Sequence, residues 1–174
     1  QVLSSLTNNE GTYIINEDAL IEKEIVSGVS YSKNESKITI SGIPDRPGIS
    51  AKIFGLMASN NINVDMIVQN ISQDGVNANM TFTVPSKDSE LAKKIIENKN
   101  NETQYTNLSL DEDIAKISVI GMGMMSQSGV AEKMFKTLAN KGINILAIST
   151  SEIKISVLIK KKYTNQAVKS LHSV

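Results

Sequence analysis

The 174-residue sequence has no cysteine and no tryptophan, a single histidine, a single arginine and few aromatic residues. Without cysteine the chain can form neither disulfide bonds nor thiolate metal sites. It also lacks a signal-peptide pattern and any apolar run long enough to span a bilayer. We therefore expect a protein of the reducing cytoplasm that has no membrane partner.

An excess of charge of either sign is missing as well. Eighteen basic and eighteen acidic residues give a formal net charge of zero. Proteins that bind a phosphate backbone carry a surplus of lysine and arginine, so nucleic acid is not an expected partner. Hydrophobic residues make up 40% of the chain, which suffices for the core of one ordinary domain or of two small ones.

Residue sets for catalysis are also absent from the sequence. The histidine, His172, lies near the end of the chain, and neither a Ser-His-Asp set nor a metal-ligand spacing can be built around it. The arginine, Arg46, stands beside a proline, where a surface ion pair is the simpler role. Residues 121–129, "GMGMMSQSG", lack the third glycine of a dinucleotide loop and the lysine of a phosphate loop. We expect no catalytic residue, no metal ligand and no cofactor in this chain.

What the sequence does contain is an internal duplication. Residues 36–72, "SKITISGIPDRPGISAKIFGLMASNNINVDMIVQNIS", match residues 115–152, "AKISVIGMGMMSQSGVAEKMFKTLANKGINILAISTSE". Lys37 corresponds to Lys116, and Gly48 corresponds to Gly129 after a two-residue insertion that falls in a loop. The two copies therefore have the same elements in the same order.

Each copy predicts a strand, a helix, two strands and a second helix. Alternating "KITISG" and "KISVIG" indicate strands, the helices that follow end at "SNN" and "NKG", and β-branched "INVDMIVQNIS" and "INILAISTS" indicate further strands. The first copy adds a fourth strand, "TQYTNLSL", which completes a βαββαβ order. The second copy lacks that strand, whereas the strand-like residues 22–32, "EKEIVSGVSYS", lack a partner. We predict an α+β fold of two ferredoxin-like βαββαβ modules, the first inserted within the second.

The "DRPG" loop, residues 45–48, resembles the edge of a small-molecule site. A helix N-terminus presents free N–H groups to a carboxylate, and Gly48 lets a ligand approach the backbone. Pro47 suits the first helical turn, and Asp45 can face an ammonium group. Together these features match the head group of a free α-amino acid, although Asp45 could instead cap the helix. Gln69, a polar residue in an apolar strand, could supply hydrogen bonds to the same ligand or simply face solvent.

On "GIPDRPGISAKIF", "NINVDMIVQN" and "GINILAISTSEIKISVLI", the sequence resembles the C-terminal regulatory region of aspartate kinases, a tandem pair of ACT modules. The resemblance implies residues 34–110 as the first ACT module and residues 22–33 with 111–174 as the second. Residues 1–20 are similar to the end of the preceding kinase domain or its linker. It also implies a homodimer formed through the ACT modules, and a partner that is the kinase domain or large subunit, which would hold ATP and Mg²⁺.

The resemblance further implies an effector site at the dimer interface for lysine, threonine or both. Binding of the effector there would feedback-inhibit the ATP-dependent phosphorylation of L-aspartate by the enzyme. The first module would supply Asp45, Gly48, Ile49 and Ser50 from the loop, and Asn63, Val64, Asp65 and Gln69 from the following strand. The second module of the partner subunit would supply Val130, Ala131, Asn144, Ile145, Ser151 and Glu152. Because "GMMSQSGV" replaces the Asp-x-Pro-Gly pattern, we expect no equivalent head-group site there.

Several alternatives remain open from the sequence. The chain could be a free-standing ACT protein that binds small molecules, a regulatory region of a longer enzyme, or a separately translated small subunit. Ferredoxin-like sheets also bind RNA, although the central strands here carry few aromatic residues. A small phosphatase that uses Arg46 as a phosphate clamp is a further reading of the same fold.

Overall fold

The structure, a computed structural model, describes residues 26–72, 75–121 and 129–173, together with Leu3, Leu6 and Gly11. Most of the predicted segment 1–20, the start of the predicted strand 22–32 and the loop 122–128 lie outside the described residues. The elements within the described residues are β1 (Gly28–Ser32), β2 (Glu35–Pro44), α1 (Ile49–Ser59), β3 (Val68–Ile71), β4 (Asn77–Pro85), α2 (Ser89–Asn98), the one-turn α3 (Asn100–Thr103), β5 (Asn107–Asp111), β6 (Ile114–Ile120), α4 (Val130–Asn140), β7 (Ala147–Ser151), β8 (Lys154–Lys160) and α5 (Thr164–His172).

The described strands form two antiparallel four-stranded sheets. One has the order β3-β4-β2-β5 and the other β7-β8-β6-β1. In the second sheet, β1 pairs with β6 from Gly28 opposite Ile120 to Ser32 opposite Lys116, and it occupies the edge that β5 occupies in the first sheet. A strand that precedes the first module thus completes the second, which confirms the predicted insertion of one ferredoxin-like module within the other.

Each sheet buries one face against its own helices. Alternation in β2 places Ile38 and Ile40 on that face, and the register shift between Ile40 and Ile43 returns Ile43 to it. All three pack with Phe82 and the buried side of α1. In the second module Ile117, Val157 and Ile159 do the same beneath α4 and α5. Each module therefore has an apolar core of its own. Burial of each such side chain contributes about 1.5–3 kcal/mol to the stability of the folded state.

The first helix of each module ends in a turn of the Schellman type, and this shortens the strand that follows. Asn61 and Gly142 have positive φ values of 55° and 66°, and the next residues, Ile62 and Ile143, donate their N–H groups to Met57 and Leu138. The sequence predicted that these isoleucines begin strands. They instead close the helix ends, and β3 and β7 begin only at Val68 and Ala147.

The two modules pack through the sheet faces that carry no helices. Ile114 and Leu158 point away from α4 and α5, yet both are fully buried, in a cluster with Met66 of the first module. Ion pairs surround this contact: Lys160 of β8 binds Asp111 at 3.1 Å and Asp113 at 3.7 Å. None of the helices in the described residues is long and apolar enough to cross a membrane.

Candidate functional site

The N-terminus of α1 has backbone N–H groups available to a ligand. Gly48 occupies the N-cap with φ 91° and ψ −11°, and no side chain in the described part of the protein caps the helix. The first intrahelical bond runs from the N–H of Lys52 to the carbonyl of Gly48 at 3.0 Å, so the N–H groups of Ser50 and Ala51 precede the helical ladder. Because nothing lies within 4 Å of the Gly48 Cβ position, an anion can reach this positive end of the helix.

Asp45 lies in the loop before α1 and does not cap the helix, which removes one of the alternatives open from the sequence. Its backbone N–H donates to the carbonyl of Val76 at 2.9 Å and ties the loop to the β3–β4 turn. The carboxylate is exposed and has no hydrogen-bond partner among the described residues. Pro47 lies in the turn and not in the first helical turn as predicted, since the helix begins at Ile49.

The side chain of Arg46 is directed toward α3. Its guanidinium donates to Oε1 of Gln104 at 3.0 Å, and Gln104 follows the short helix α3. Both side chains are exposed. The arginine therefore ties the loop to the end of α3, a structural role that leaves Asp45 as the charged side chain of the loop that is open to a ligand.

A second polar group lies beside the start of α1. The hydroxyl of Ser50 donates to Oε1 of Gln69 at 3.0 Å, which joins the first turn of α1 to the edge strand β3. Gln69 lies opposite the buried Met80 of β4 and so faces the helix side of the sheet. Since its Oε1 accepts from Ser50, the amide nitrogen of Gln69 remains a donor toward a ligand.

The segment between α1 and β3 carries three more of the predicted site residues. Asn63 is exposed, whereas Val64 is half-buried and packs on the first core. The carboxylate of Asp65 turns to the second module, where it accepts a hydrogen bond from the ammonium group of Lys116. Ile49, by contrast, is buried in the core, so it could offer a ligand only its backbone.

Lys116 is the functional candidate that sequence reasoning missed. Its ammonium group also binds Glu35 at 2.5 Å. The hydrogen bond from Lys116 lowers the pKa of Asp65, against a smaller opposing effect of burial. Burial lowers the pKa of Lys116, but its hydrogen bonds to Asp65 and Glu35, together with the charges of both carboxylates, outweigh burial and raise it. The sequence did contain one indication of this residue, a lysine between the buried positions of the strand β6. It does not show which carboxylates bind that lysine.

The second module repeats the helix geometry of the first. Gly129 precedes α4 with φ 100° and ψ −11°, and again none of the described side chains caps the helix. The predicted residues Val130, Ala131 and Ile145 are half-buried against the second core, and Asn144 is exposed. Ser151 and Glu152 are exposed at the turn between β7 and β8. The loop in which the two modules differ, residues 122–128, lies outside the described residues.

Exposed apolar side chains follow the two neighbouring edge strands β3 and β7. Ile67 and Ile71 are 50% and 61% exposed at β3, and Ile148 and Ile153 are 42% and 49% exposed at β7. The opposite edge of the first sheet, β5, begins with the exposed Asn107 and also exposes Ser109. Unpaired strand edges with apolar side chains are typical of surfaces that another chain covers.

Comparison with known proteins matches two segments of the chain to one family. The family model described as "ACT domain" matches residues 30–99 and 117–174. An aspartate kinase of Pseudomonas fluorescens SBW25 is 45% identical over 174 residues, and an aspartokinase of Helicobacter pylori 26695 is 46% identical over 175 residues. The matches cover 99% and 98% of this chain and 42% of each relative, so the chain spans less than half of their length.

Two solved structures of aspartate kinase subunits match this chain over nearly their entire length. A structure of aspartokinase alpha and beta subunits has a TM-score of 0.79 and 42% identity, and the match covers 85% of this chain and 97% of that one. The ligand-free regulatory subunit of aspartate kinase from Thermus thermophilus has a TM-score of 0.80 and 37% identity, with coverage of 86% and 98%.

Proposed function

The chain belongs to the ACT-domain family, as the tandem regulatory part of an aspartate kinase, and we propose that it is the sensor for a free amino acid. The proposed effectors are lysine, threonine or both. Binding of the effector feedback-inhibits the ATP-dependent phosphorylation of L-aspartate, in the biosynthesis of lysine, threonine and methionine. ATP and Mg²⁺ belong to the kinase domain or large subunit, and the proposed location is the cytoplasm.

The observation that carries this proposal is the pairing of two opposite features at one loop. Among the described residues, no side chain caps the N–H groups at the start of α1, and none pairs with the carboxylate of Asp45, three residues before the N-cap. An α-amino acid has a carboxylate for the N–H groups and an ammonium group for Asp45. Ser50 and Gln69, whose side chains hydrogen-bond each other beside the start of α1, would bind the same ligand.

The edge strands support a site that a second copy completes. We propose a homodimer that covers the apolar edges β3 and β7, so that the first module of one subunit meets the second module of its partner. Val130, Ala131, Asn144, Ile145, Ser151 and Glu152 of the second module would then close the effector site. An effector that binds one arrangement of the subunits better than another shifts the equilibrium by its differential affinity, and about 1–3 kcal/mol suffices for strong inhibition.

The packing of the modules argues against the RNA-binding alternative. A ferredoxin-like RNA-binding module stacks bases on the face of the sheet that carries no helices. Here that face of the second sheet carries the buried Ser118 and Ser156, whose hydroxyl groups lie 2.8 Å apart, and the buried Leu158. The first module covers this surface, which leaves bases no platform on it.

Thermal unfolding of the chain with and without free amino acids tests the proposed function. We expect millimolar lysine, threonine or the pair to raise the melting temperature, because a ligand of the folded state must stabilise it. Asp45→Asn should remove the shift. Glu90→Gln removes the same charge from the exposed face of α2 and should keep it. If none of the twenty amino acids raises the melting temperature, the sensor function is wrong.

A further inference from the structure

One extra residue interrupts the pairing of β2 with β4 near the end of β2. The register is regular up to Ile40 and resumes at Ile43, which leaves Ser41 and Gly42 together opposite Asn79. Gly42 has a φ of 70°, in the left-handed region that suits glycine. Two residues opposite one form a β-bulge, and we call this feature the β2 bulge. It lies just before the loop that carries the proposed amino-acid site.

The β2 bulge determines on which face of the sheet the following residues lie. Successive residues of a strand alternate between the two faces, so an extra residue exchanges the faces of all that follow it. Ile38 and Ile40 point into the first core before the bulge, and Ile43 does so after it. The backbone N–H of Asp45 continues the new register by donating to the carbonyl of Val76 at 2.9 Å. Asp45, two positions after Ile43, therefore lies on the face that carries α1, whereas without the extra residue it would lie on the helix-free face.

The second module lacks such a bulge between its two described central strands. There β6 pairs with β8 in one unbroken register. Gly121, the duplicate of Gly42, continues that register by donating its backbone N–H to the carbonyl of Ile153 at 2.9 Å. The N–H of Gly42 donates instead to Oδ1 of the Asn79 side chain, at 3.2 Å. The bulge and its side-chain acceptor thus distinguish the module that carries Asp45 from its duplicate.

Contacts on both sides hold the β2 bulge. On the side of β4, Asn79 accepts the hydrogen bond from Gly42. On the side of β5, the N–H of Thr106 donates to the carbonyl of Ser41 at 2.8 Å, and the Thr106 side chain occupies the space in which a Cβ of Gly42 would lie. The neighbours of Asn79 in β4 point into the first core, so the Asn79 side chain lies on the helix-free face and not at the start of α1.

We propose that Asn79 is a positioning residue of the amino-acid site, because its side chain holds the β2 bulge that places Asp45 beside the start of α1. The inference rests on the proposed function, in which Asp45 binds the ammonium group of the effector. Asn79 acts through the backbone and does not touch the ligand. Loss of its acceptor removes the partner of the Gly42 N–H group and releases Asp45 from its position. The carboxylate of Asp45 and the N–H groups of α1 then no longer match the two charges of one amino acid.

The experiment is a calorimetric titration of the chain with lysine and, separately, with threonine. Asn79→Leu nearly keeps the size of the side chain but removes its acceptor, so we expect the dissociation constant to rise by about 5- to 10-fold. Asn79→Asp keeps an acceptor oxygen for the N–H of Gly42 and should bind no more weakly than the wild type.

Thr39→Val is the matched control. The hydroxyl groups of Thr39 and Thr81 lie 3.2 Å apart, so this substitution also removes a side-chain hydrogen bond between β2 and β4, but in the regular part of their register. We expect wild-type affinity. A general loss of stability would weaken binding by Thr39→Val and Asn79→Leu alike, whereas the positioning role predicts weaker binding for Asn79→Leu alone and its rescue in Asn79→Asp.

Amide hydrogen exchange measured by NMR reports on the bulge without any ligand. The N–H of Asp45 bonds to Val76 directly after the bulge. We expect this N–H to exchange about 5- to 10-fold faster in Asn79→Leu than in the wild type or in Thr39→Val. Unchanged exchange of the Asp45 N–H in a folded Asn79→Leu overturns the positioning role.

The outcomes separate this inference from the proposed function. If the wild type binds neither amino acid, the proposed function fails and the positioning role falls with it; faster exchange in Asn79→Leu then assigns Asn79 to the stability of the bulge only. If the wild type binds and a folded Asn79→Leu binds as tightly as Thr39→Val, the positioning role alone is overturned. If circular dichroism shows that Asn79→Leu does not fold, Asn79→Ala takes its place with the same expected results.

Discussion

Gly48 and Gly129 adopt nearly the same left-handed backbone conformation, with φ and ψ of 91° and −11° in the first and 100° and −11° in the second. Each occupies the N-cap of the first helix of its module. The loops before the two glycines differ in length and sequence, yet the helix starts have the same geometry. The backbone cradle for an anion is thus a property of the duplicated module, whereas Asp45 belongs to the first module alone.

Alanine at either N-cap glycine should destabilise the chain. The left-handed region costs a residue with a Cβ about 1–2 kcal/mol, and no neighbour obstructs the Cβ at either position, so the cost should be conformational only. Gly55→Ala in the exposed middle of α1 is the control, and it should stabilise by about 1 kcal/mol. Urea denaturation measures all three. Equal stabilities of Gly48→Ala and Gly55→Ala would contradict the assigned backbone conformation.

Gly42→Ala should cost more than either N-cap substitution. Gly42 has a φ of 70° at an irregularity of β2, and an added Cβ would overlap the side chain of Thr106. Strain and overlap together predict a loss of about 2–4 kcal/mol. In a Thr106→Gly background the same substitution should cost only the conformational part, about 1–2 kcal/mol. A double-mutant cycle with no coupling between the two positions would disprove the overlap.

The contribution that the ion pairs of Lys116 with Asp65 and Glu35 make to stability should depend on pH at both extremes. The pKa of Asp65 is lowered from 3.8, so its contribution is present above that value and is lost as the pH falls through the lowered pKa. The pKa of Lys116 is raised from 10.5, so its contribution is present below that value and is lost as the pH rises through the raised pKa.

The difference in unfolding free energy between the wild type and Lys116→Met tests this dependence. We expect a difference of about 1–3 kcal/mol, because the substitution leaves Glu35 partly buried without its cation. The difference should be flat between about pH 5 and pH 10 and should shrink beyond both limits. A difference that changes with pH in the middle of this range would show that other groups carry the effect.

Substitutions at the edge strands should change the oligomeric state. Ile71→Lys and Ile148→Lys place a charge on the two exposed edges, and if the proposed dimer forms through them, we expect both to shift it to monomer in sedimentation equilibrium. Leu91→Lys is the control, since Leu91 is 49% exposed on α2, away from the edges. Dissociation by Leu91→Lys but by neither isoleucine variant would place the dimer interface on the helices.

Much of the architecture could be predicted from the sequence. The alternation of Ile38 and Ile40 sets the buried face of β2, and the glycine at position 142 ends α4 with the conformation that its residue type allows. Local β-propensity, by contrast, misled the prediction at Ile62 and Ile143, where a β-branched residue suggested a strand. There the hydrogen bond to the preceding helix and the burial of the side chain determine the conformation instead.

The sequence by itself determined the duplication, the apolar face of each strand and the chemistry of the Asp45–Gly48 loop, because these depend on residue type and local spacing. Tertiary structure decided that the helix-free faces of the two sheets pack the modules together, and that the carboxylate of Asp65 points to the second module. Lys116 is 51 residues from Asp65 along the chain, and only the packing of one module on the other brings the two charges together. An ion pair of this kind depends on the distance between the two charges in space, which the spacing of the residues along the chain does not predict.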